Sequence, residues 1–407
     1  MVRSCLALLP ALLVALVVAA GSPASASECT YSFAPEDLSW VEEEHGIWYS
    51  EYSHKGTPGG KNKGKEVLPV HVHLLKVELA DTGLTLRSLR PLGRSQRLEQ
   101  IVDFFRKGGV DVRAAINGDY FSFIESEKDP LGLHISGGQL LWFPANTTSL
   151  VVDETNRVTI DRFRMKASVT TADFSVPLAG VNRKAEKDEV VLYSGFYRDD
   201  TLPQQGCDGY RLTRDKLEPM VNGTVKAVVK DRFRVLNAAR MEPMELLLVV
   251  CGATRKKVTG LDAGKEVSIS STLTGLKPVA VEAISGGPRI LRDGNVVSEA
   301  GQEGFSVALR FYIPQRHPRS AVGVSKDGKT VIMLVAEGRL KRSSGLTAAD
   351  AACILKTAGA QDAMLFDGGG SVALMGPKGF YNVPHHKRNR TARDLANTLA
   401  VIRRKKK

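Results

Sequence analysis

Apolar and polar residues alternate with a period of two along much of the chain. Val70-His71-Val72-His73-Leu74-Leu75-Lys76-Val77-Glu78-Leu79 sends side chains to two faces, as a half-buried strand does. Shorter runs of the same kind at 150–153, 157–160, 189–193, 225–229, 244–250 and 267–271 are separated by turn residues, so a β-rich middle region is expected from about 150 to 280. Two stretches change to helical spacing. Residues 98–105 form one, stopped by Gly108-Gly109. The other spans 348–357: Thr347 followed by Asp350 is a variant of the capping box, and Gly359 closes the helix. Asp-Gly pairs in Arg292-Asp293-Gly294-Asn295 and Lys326-Asp327-Gly328-Lys329 predict hairpins, the second joining 321–325 to 331–335. The order strand pair, helix, strand, glycine turn predicts an α+β fold: a large mixed β-sheet core partly covered by helices.

That glycine turn is Asp367-Gly368-Gly369-Gly370-Ser371, directly after the apolar run 363–366. Consecutive glycines at a strand end give up backbone entropy and offer nothing to pack. They are tolerated where backbone approaches something closely, or where N–H groups converge on an anion. Three more segments set glycine beside polar residues at the edge of an apolar strand: 117–121, 285–288 and 319–323. Such edges are where pockets are built.

Taken in order, Asn117-Gly118-Asp119-Tyr120-Phe121, Gly286-Gly287-Pro288, Pro318-Arg319-Ser320-Ala321-Val322-Gly323, Glu337-Gly338-Arg339, Ser344-Gly345-Leu346-Thr347, Asp367-Gly368-Gly369-Gly370-Ser371, and Arg393 with Asn397-Thr398-Leu399-Ala400-Val401 resemble the phosphodiester glycosidase family. The resemblance runs over about 67–402. It implies hydrolysis at the anomeric carbon of a sugar–phosphodiester, as in removal of N-acetylglucosamine from such a linkage. A phosphomonoester leaves more readily than a sugar alkoxide, so the site needs cations and N–H donors more than a strong general acid. Arg319 and Arg393 suit phosphate, and Gly368, Gly369 and Gly370 could form a nest for it. A carboxylate must stabilise an oxocarbenium-like sugar or activate water. Asp367 is the leading candidate, with Glu337 or Asp119 as partner. Asn117 is expected to orient the site, Gly286 and Gly287 to shape its backbone, and Ser371 and His134 to line it; a hydrogen-bonded structural role is the plainer reading of His134. His385 and His386 are candidates for its rim. Serine-hydrolase chemistry is not expected, because no base is motif-linked to Ser371 and the turn is not a GxSxG elbow.

No cofactor is required by this chemistry. Asn117, Asp119, Glu337 and Asp367 are nevertheless oxygen donors suited to Ca²⁺ or Mg²⁺ if they converge. His71 and His73 share one strand face, but no third ligand lies nearby in sequence, so an exposed strand face is the expectation there.

The remaining features bear on location and partners. The chain has 407 residues, 43% of them hydrophobic, and a formal charge of +12. The basic excess is spread out, apart from Arg403-Arg404-Lys405-Lys406-Lys407, with no basic stripe interleaved with aromatics. Nucleic acid is therefore not an expected partner, whereas an anionic envelope polymer or a phosphorylated glycan is. Residues 1–26 read as a signal peptide, with Arg3, an apolar stretch and Ala24-Ser25-Ala26; no later run is long enough to span a membrane. An extension at 27–65, a catalytic domain at 66–402 and a basic tail at 403–407 complete the expected organisation. A secreted protein would lose Cys5 and keep Cys29, Cys207, Cys251 and Cys353, which allow three pairings. The sequons at Asn146, Asn222 and Asn389 matter only in a eukaryotic secretory route. The expectation is an exported hydrolase acting on a glycosyl phosphodiester. The alternatives are a glycosidase or transglycosidase of a phosphate-free exopolysaccharide, and a non-catalytic binder of an envelope polymer.

Overall fold

The structure is a computed structural model that describes residues 29–31, 33–57, 67–90, 96–121, 129–195, 206–233, 241–242, 244–383 and 392–404. The signal peptide, most of the glycine- and lysine-rich stretch at 55–65, His385, His386, the sequon at Asn389 and the last three residues of the basic tail lie outside the described residues.

The class is α+β with β-sheet dominant. Among the described residues, an eight-stranded sheet runs, edge to edge, through Val41–Glu44, Ile47–His54, Val70–Glu78, Thr330–Ala336, Arg319–Val324, Asp362–Leu365, Arg289–Arg292 and Asn295–Val296. A five-stranded sheet has Val112–Asn117 between Leu374–Gly376 and Thr398–Arg403. Another has Ala280–Ser285 between His134–Ser136 and Thr148–Asp153. The β-rich middle region forms a second eight-stranded sheet within Met165–Leu273. Among the described residues pairing is antiparallel, except where Gly180–Val181 lies parallel to Val190–Ser194.

The first three sheets close around one core, where Leu75, Ile116, Leu150, Ile284, Met333 and Phe366 are almost fully buried. Each such side chain contributes roughly 1.5–3 kcal/mol when taken from water. The helix Ala348–Thr357 covers the outer face of the first sheet with Ala351, Ile354 and Leu355. It starts as its sequence predicts: the Asp350 N–H donates to the Thr347 hydroxyl at 3.0 Å, and the Thr347 N–H to the Asp350 carboxylate at 3.3 Å. The helix Leu98–Lys107 covers the sheet containing Val112–Asn117. No helix among the described residues is long and apolar enough to cross a membrane.

The open question of cysteine pairing is decided by proximity. Cys29 joins Cys353, tying the N-terminal segment to the helix Ala348–Thr357, and Cys207 joins Cys251 across adjacent strands. Two disulfides fit an oxidising compartment. In the chain-entropy account, a bridge spanning 44 residues such as Cys207–Cys251 stabilises by about 4 kcal/mol. The Cys207→Ser/Cys251→Ser protein is therefore expected to unfold at clearly lower denaturant concentration than the oxidised protein. An unchanged midpoint would mean that the pair contributes nothing to stability.

Candidate active site

The four glycine-marked segments meet at one end of the central core, and a single buried amide ties the strands Val112–Asn117 and Arg319–Val324 to the glycine turn. Asn117 ends its strand fully buried. Its side-chain nitrogen donates to the Asp367 carbonyl at 2.7 Å, while its oxygen accepts from the Ser320 hydroxyl at 2.6 Å and the Ala373 N–H at 3.1 Å. Only a group that both donates and accepts can do this. The Asp367 N–H donates to the Gly118 carbonyl at 3.0 Å, the Gly369 N–H to Pro318 at 2.9 Å, and the Gly287 N–H to Leu365 at 2.8 Å. The glycines answer to close approach. A Cβ on Gly286 would stand 2.5 Å from the Leu365 carbonyl oxygen, one on Gly118 would meet the Asn397 side chain at 2.3 Å, and Gly369 takes φ +63°.

A cleft of about 250 Å³ opens above this junction. Its floor is Asp367 with Gly368, Gly369 and Gly370; its cations are Arg319, Arg339 and Arg393; Tyr120, Phe305, Leu309 and Tyr312 supply an apolar wall. Ser371 is buried beneath the floor and donates its hydroxyl to the Asp367 carboxylate at 2.5 Å, fixing that side chain's orientation. Arg393 reaches the same hydroxyl at 3.4 Å. Asp367 is the one carboxylate among the described residues that line the cleft.

The other expected residues are placed differently. Arg319 touches the cleft, but its Nε donates to Leu346 and its Nη2 to the carbonyls of Tyr312, Ile313 and Gln315. Two of its three nitrogens therefore hold the neighbouring loop, and the bidentate fork expected for phosphate is largely spent on protein. The nest expected from three glycine N–H groups loses Gly369, whose N–H is given to Pro318.

Asp119 is buried behind the wall, its oxygens accepting from the N–H groups of Tyr120 at 2.7 Å and Gly132 at 2.9 Å. Burial pushes its carboxyl up to about 7 against those two donors, and the charge of Asp367 adds to the rise. Its geometry pins one chain segment to another. His134 is fully buried and is not among the cleft-lining residues; burial, then Arg90, lowers its imidazole to about 3, which keeps it neutral.

Glu337 lines a neighbouring cavity of about 100 Å³, which shares Pro318, Arg339 and Gly369 with the cleft. Arg342 grips it with two hydrogen bonds of 2.7 Å, and His71 lies 3.2 Å away. Burial alone would raise its carboxyl, but the Arg342 and Val383 hydrogen bonds and nearby charges outweigh burial and lower it. The oxygen donors expected for Ca²⁺ or Mg²⁺ are thus engaged separately with backbone, serine or arginine partners.

The face of Val70–Glu78 expected to be exposed is covered. His73 is only 3% exposed, because Tyr49 comes over it from the adjoining strand and Glu337 from just past the end of Thr330–Ala336.

Residues 221–402 match the sequence profile of the phosphodiester glycosidase family. The match takes in Gly286, Gly287, Arg319, Glu337, the glycine turn and Arg393, and stops short of Asn117, Asp119 and His134. By fold, the chain is similar to a hypothetical protein from Synechocystis (TM-score 0.67, 19% identity, 90% of this chain and 64% of that one). It is also similar to a Burkholderia pseudomallei protein (TM-score 0.61, 20% identity, 83% and 75%). The catalytic domain of zebrafish N-acetylglucosamine-1-phosphodiester alpha-N-acetylglucosaminidase, auto-inhibited by its pro-peptide, gives a TM-score of 0.47 at 14% identity over 90% of this chain and 86% of that one. The SPbeta prophage-derived protein YomE of Bacillus subtilis is 45% identical over 56 residues, 14% of this chain and 8% of YomE. The chain thus spans under two thirds of the Synechocystis protein and a small part of YomE.

Within the family segment, sequence reasoning settled on Glu337 and passed over its neighbour. Arg339 is exposed in the cleft, holds φ at +62° in the sparsely used left-handed region, and has no carboxylate partner among the described residues. Its Nη2 lies a long 3.4 Å from His317 Nδ1. The motif Glu337-Gly338-Arg339 contained the signal. Gly338 lets Pro318 approach, since a Cβ there would stand 2.7 Å from the Pro318 nitrogen. Tyr120 was also unassigned; its hydroxyl donates to the Gly287 carbonyl at 2.9 Å, and burial, then Asp367, keeps the phenol un-ionised.

Proposed function

We propose that the protein is an extracytoplasmic hydrolase that cleaves the bond between a sugar's anomeric carbon and a phosphodiester oxygen in a glycan, glycolipid or wall polymer. The observation that carries this reading is the composition of the cleft: one oriented carboxylate, Asp367, facing three arginines. The Asp367 carboxylate stabilises positive charge at the anomeric carbon or takes a proton from the attacking water. The leaving oxygen departs with the bonding pair as part of a phosphomonoester, whose negative charge Arg339 and Arg393 meet. A sugar alkoxide would call for a protonated acid at the leaving oxygen. The buried carboxyl with raised pKa, Asp119, is turned toward backbone behind the wall, so the cleft favours the phosphate leaving group over a phosphate-free polysaccharide. Disulfides and the N-terminal sequence support export.

The test is release of free sugar by the purified protein from sugar-1-phosphodiesters, with nitrophenyl glycosides alongside. Turnover of the phosphodiester supports the proposal. Turnover of nitrophenyl glycosides alone replaces it with the ordinary glycosidase, and binding of anionic polymers without turnover with the non-catalytic reading. Arg339→Ala is expected to raise KM for the phosphodiester about 10- to 100-fold, the loss of a charged hydrogen bond of roughly 1.5–3 kcal/mol, with a smaller effect on kcat. An unchanged KM would remove Arg339 from the phosphate site.

A further inference from the structure

The strand Ile47–His54 pairs with Val70–Glu78 so that Glu51 stands opposite His73, and Thr330–Ala336 pairs so that Val335 does. With side chains alternating, Glu51, His71, His73 and Glu337 share one face of the sheet, beside the cavity that adjoins the cleft. Each histidine is held at one ring nitrogen. Tyr49 Oη lies 2.9 Å from His73 Nδ1, and Glu337 Oε2 lies 3.2 Å from His71 Nδ1. The Nε2 atoms are placed differently. His71 Nε2 lies 2.6 Å from Glu51 Oε1, and His73 Nε2 is buried without any hydrogen bond. One ligand atom each from Glu51, His71 and His73 falls within 4.8 Å of the others.

From this geometry we infer a divalent transition-metal site, separate from the cleft, with Glu51, His71 and His73 as ligands and zinc as the fitting ion. Two imidazoles and one carboxylate make a nitrogen-rich set that suits zinc and disfavours Ca²⁺ or Mg²⁺. The Nδ1 partners are those a metal-bound histidine needs, a carboxylate for His71 and a hydroxyl for His73, fixing each ring and its tautomer. The site explains the buried, unpartnered His73 nitrogen, which is costly if nothing ever binds there. The Glu51 side chain is half exposed and leaves an entry path, and the carboxylates of Glu51 and Glu337 offset the ion's charge and that of Arg342. Through Glu337 the ion would brace the Glu337-Gly338-Arg339 turn that reaches the cleft.

The test is zinc uptake by the purified, chelator-treated protein, measured by dialysis with metal analysis, with Co²⁺ as a spectroscopic probe of tetrahedral coordination. One equivalent of tightly held zinc per chain is expected, lost in His71→Ala/His73→Ala. Glu337→Gln keeps all three ligands but takes away the carboxylate beside His71 and its ion pair with Arg342, and is expected to weaken zinc about 10- to 100-fold. Glu51→Gln is a surface change that leaves the core packing alone, so weakened zinc binding in it cannot be ascribed to misfolding. Absence of zinc binding, or zinc held equally by wild type, Glu51→Gln and the double histidine variant, overturns the proposal.

Discussion

Asp367→Asn lowers kcat on a sugar-1-phosphodiester about 10²- to 10⁴-fold, the range expected when a positioned acid–base group is removed, and leaves the protein as stable as before. Both halves follow from the geometry. The carboxylate accepts a 2.5 Å hydrogen bond from Ser371, and an amide oxygen can accept the same bond. The backbone of residue 367, bonded to Gly118 and to the Asn117 side chain, is untouched by the substitution. What the variant lacks is the negative charge facing the anomeric carbon. Because no second carboxylate lines the cleft among the described residues, nothing nearby replaces it. Steady-state kinetics beside a thermal melt would check this, and full activity in a folded Asp367→Asn protein would remove Asp367 from the chemistry.

Asn117→Ala is expected to cost both stability and turnover although Asn117 does not line the cleft. Its removal strands the Ser320 hydroxyl, the Ala373 N–H and one acceptor position of the Asp367 carbonyl in the interior. Leaving a buried polar group unsatisfied costs about 1–3 kcal/mol, so a total of about 3–5 kcal/mol is expected after partial relaxation. Denaturant unfolding should show a lowered midpoint with an unchanged slope. Turnover should fall with it, because the Asp367 turn is no longer anchored to the strand Val112–Asn117. Asn117→Asp separates the two effects. It keeps an acceptor for Ser320 and Ala373 but sets a carboxylate oxygen against the Asp367 carbonyl, so it should disturb the turn more selectively. If Asn117→Ala melts and turns over like wild type, the amide is not the tie described here.

The elements themselves were legible because their causes are local. The two-residue period of 70–79 became Val70–Glu78, the Thr347 and Asp350 spacing opened Ala348–Thr357, and the Asp-Gly pair at 327–328 joined Arg319–Val324 to Thr330–Ala336. The short helix Val307–Tyr312 is apolar at all but Arg310 and none of its residues is buried, so no alternation of apolar and polar faces announced it. It nevertheless supplies cleft wall and one of the carbonyls that occupy Arg319, that of Tyr312.

The sequence by itself determined the α+β class, the glycine turns and the pool of polar residues beside them, since period, capping and turn chemistry depend on near neighbours. The tertiary structure alone decided which members of that pool meet. It paired Cys29 with Cys353 and Cys207 with Cys251, and drew Asn117 under Asp367 from 250 residues away. It turned Asp119 to the backbone, gave the cleft Arg339 in place of Glu337, and brought Glu51 to His71 and His73. Those meetings rest on strand register and sheet order, which are set by burial summed over the whole core and leave no mark in any short stretch of chain.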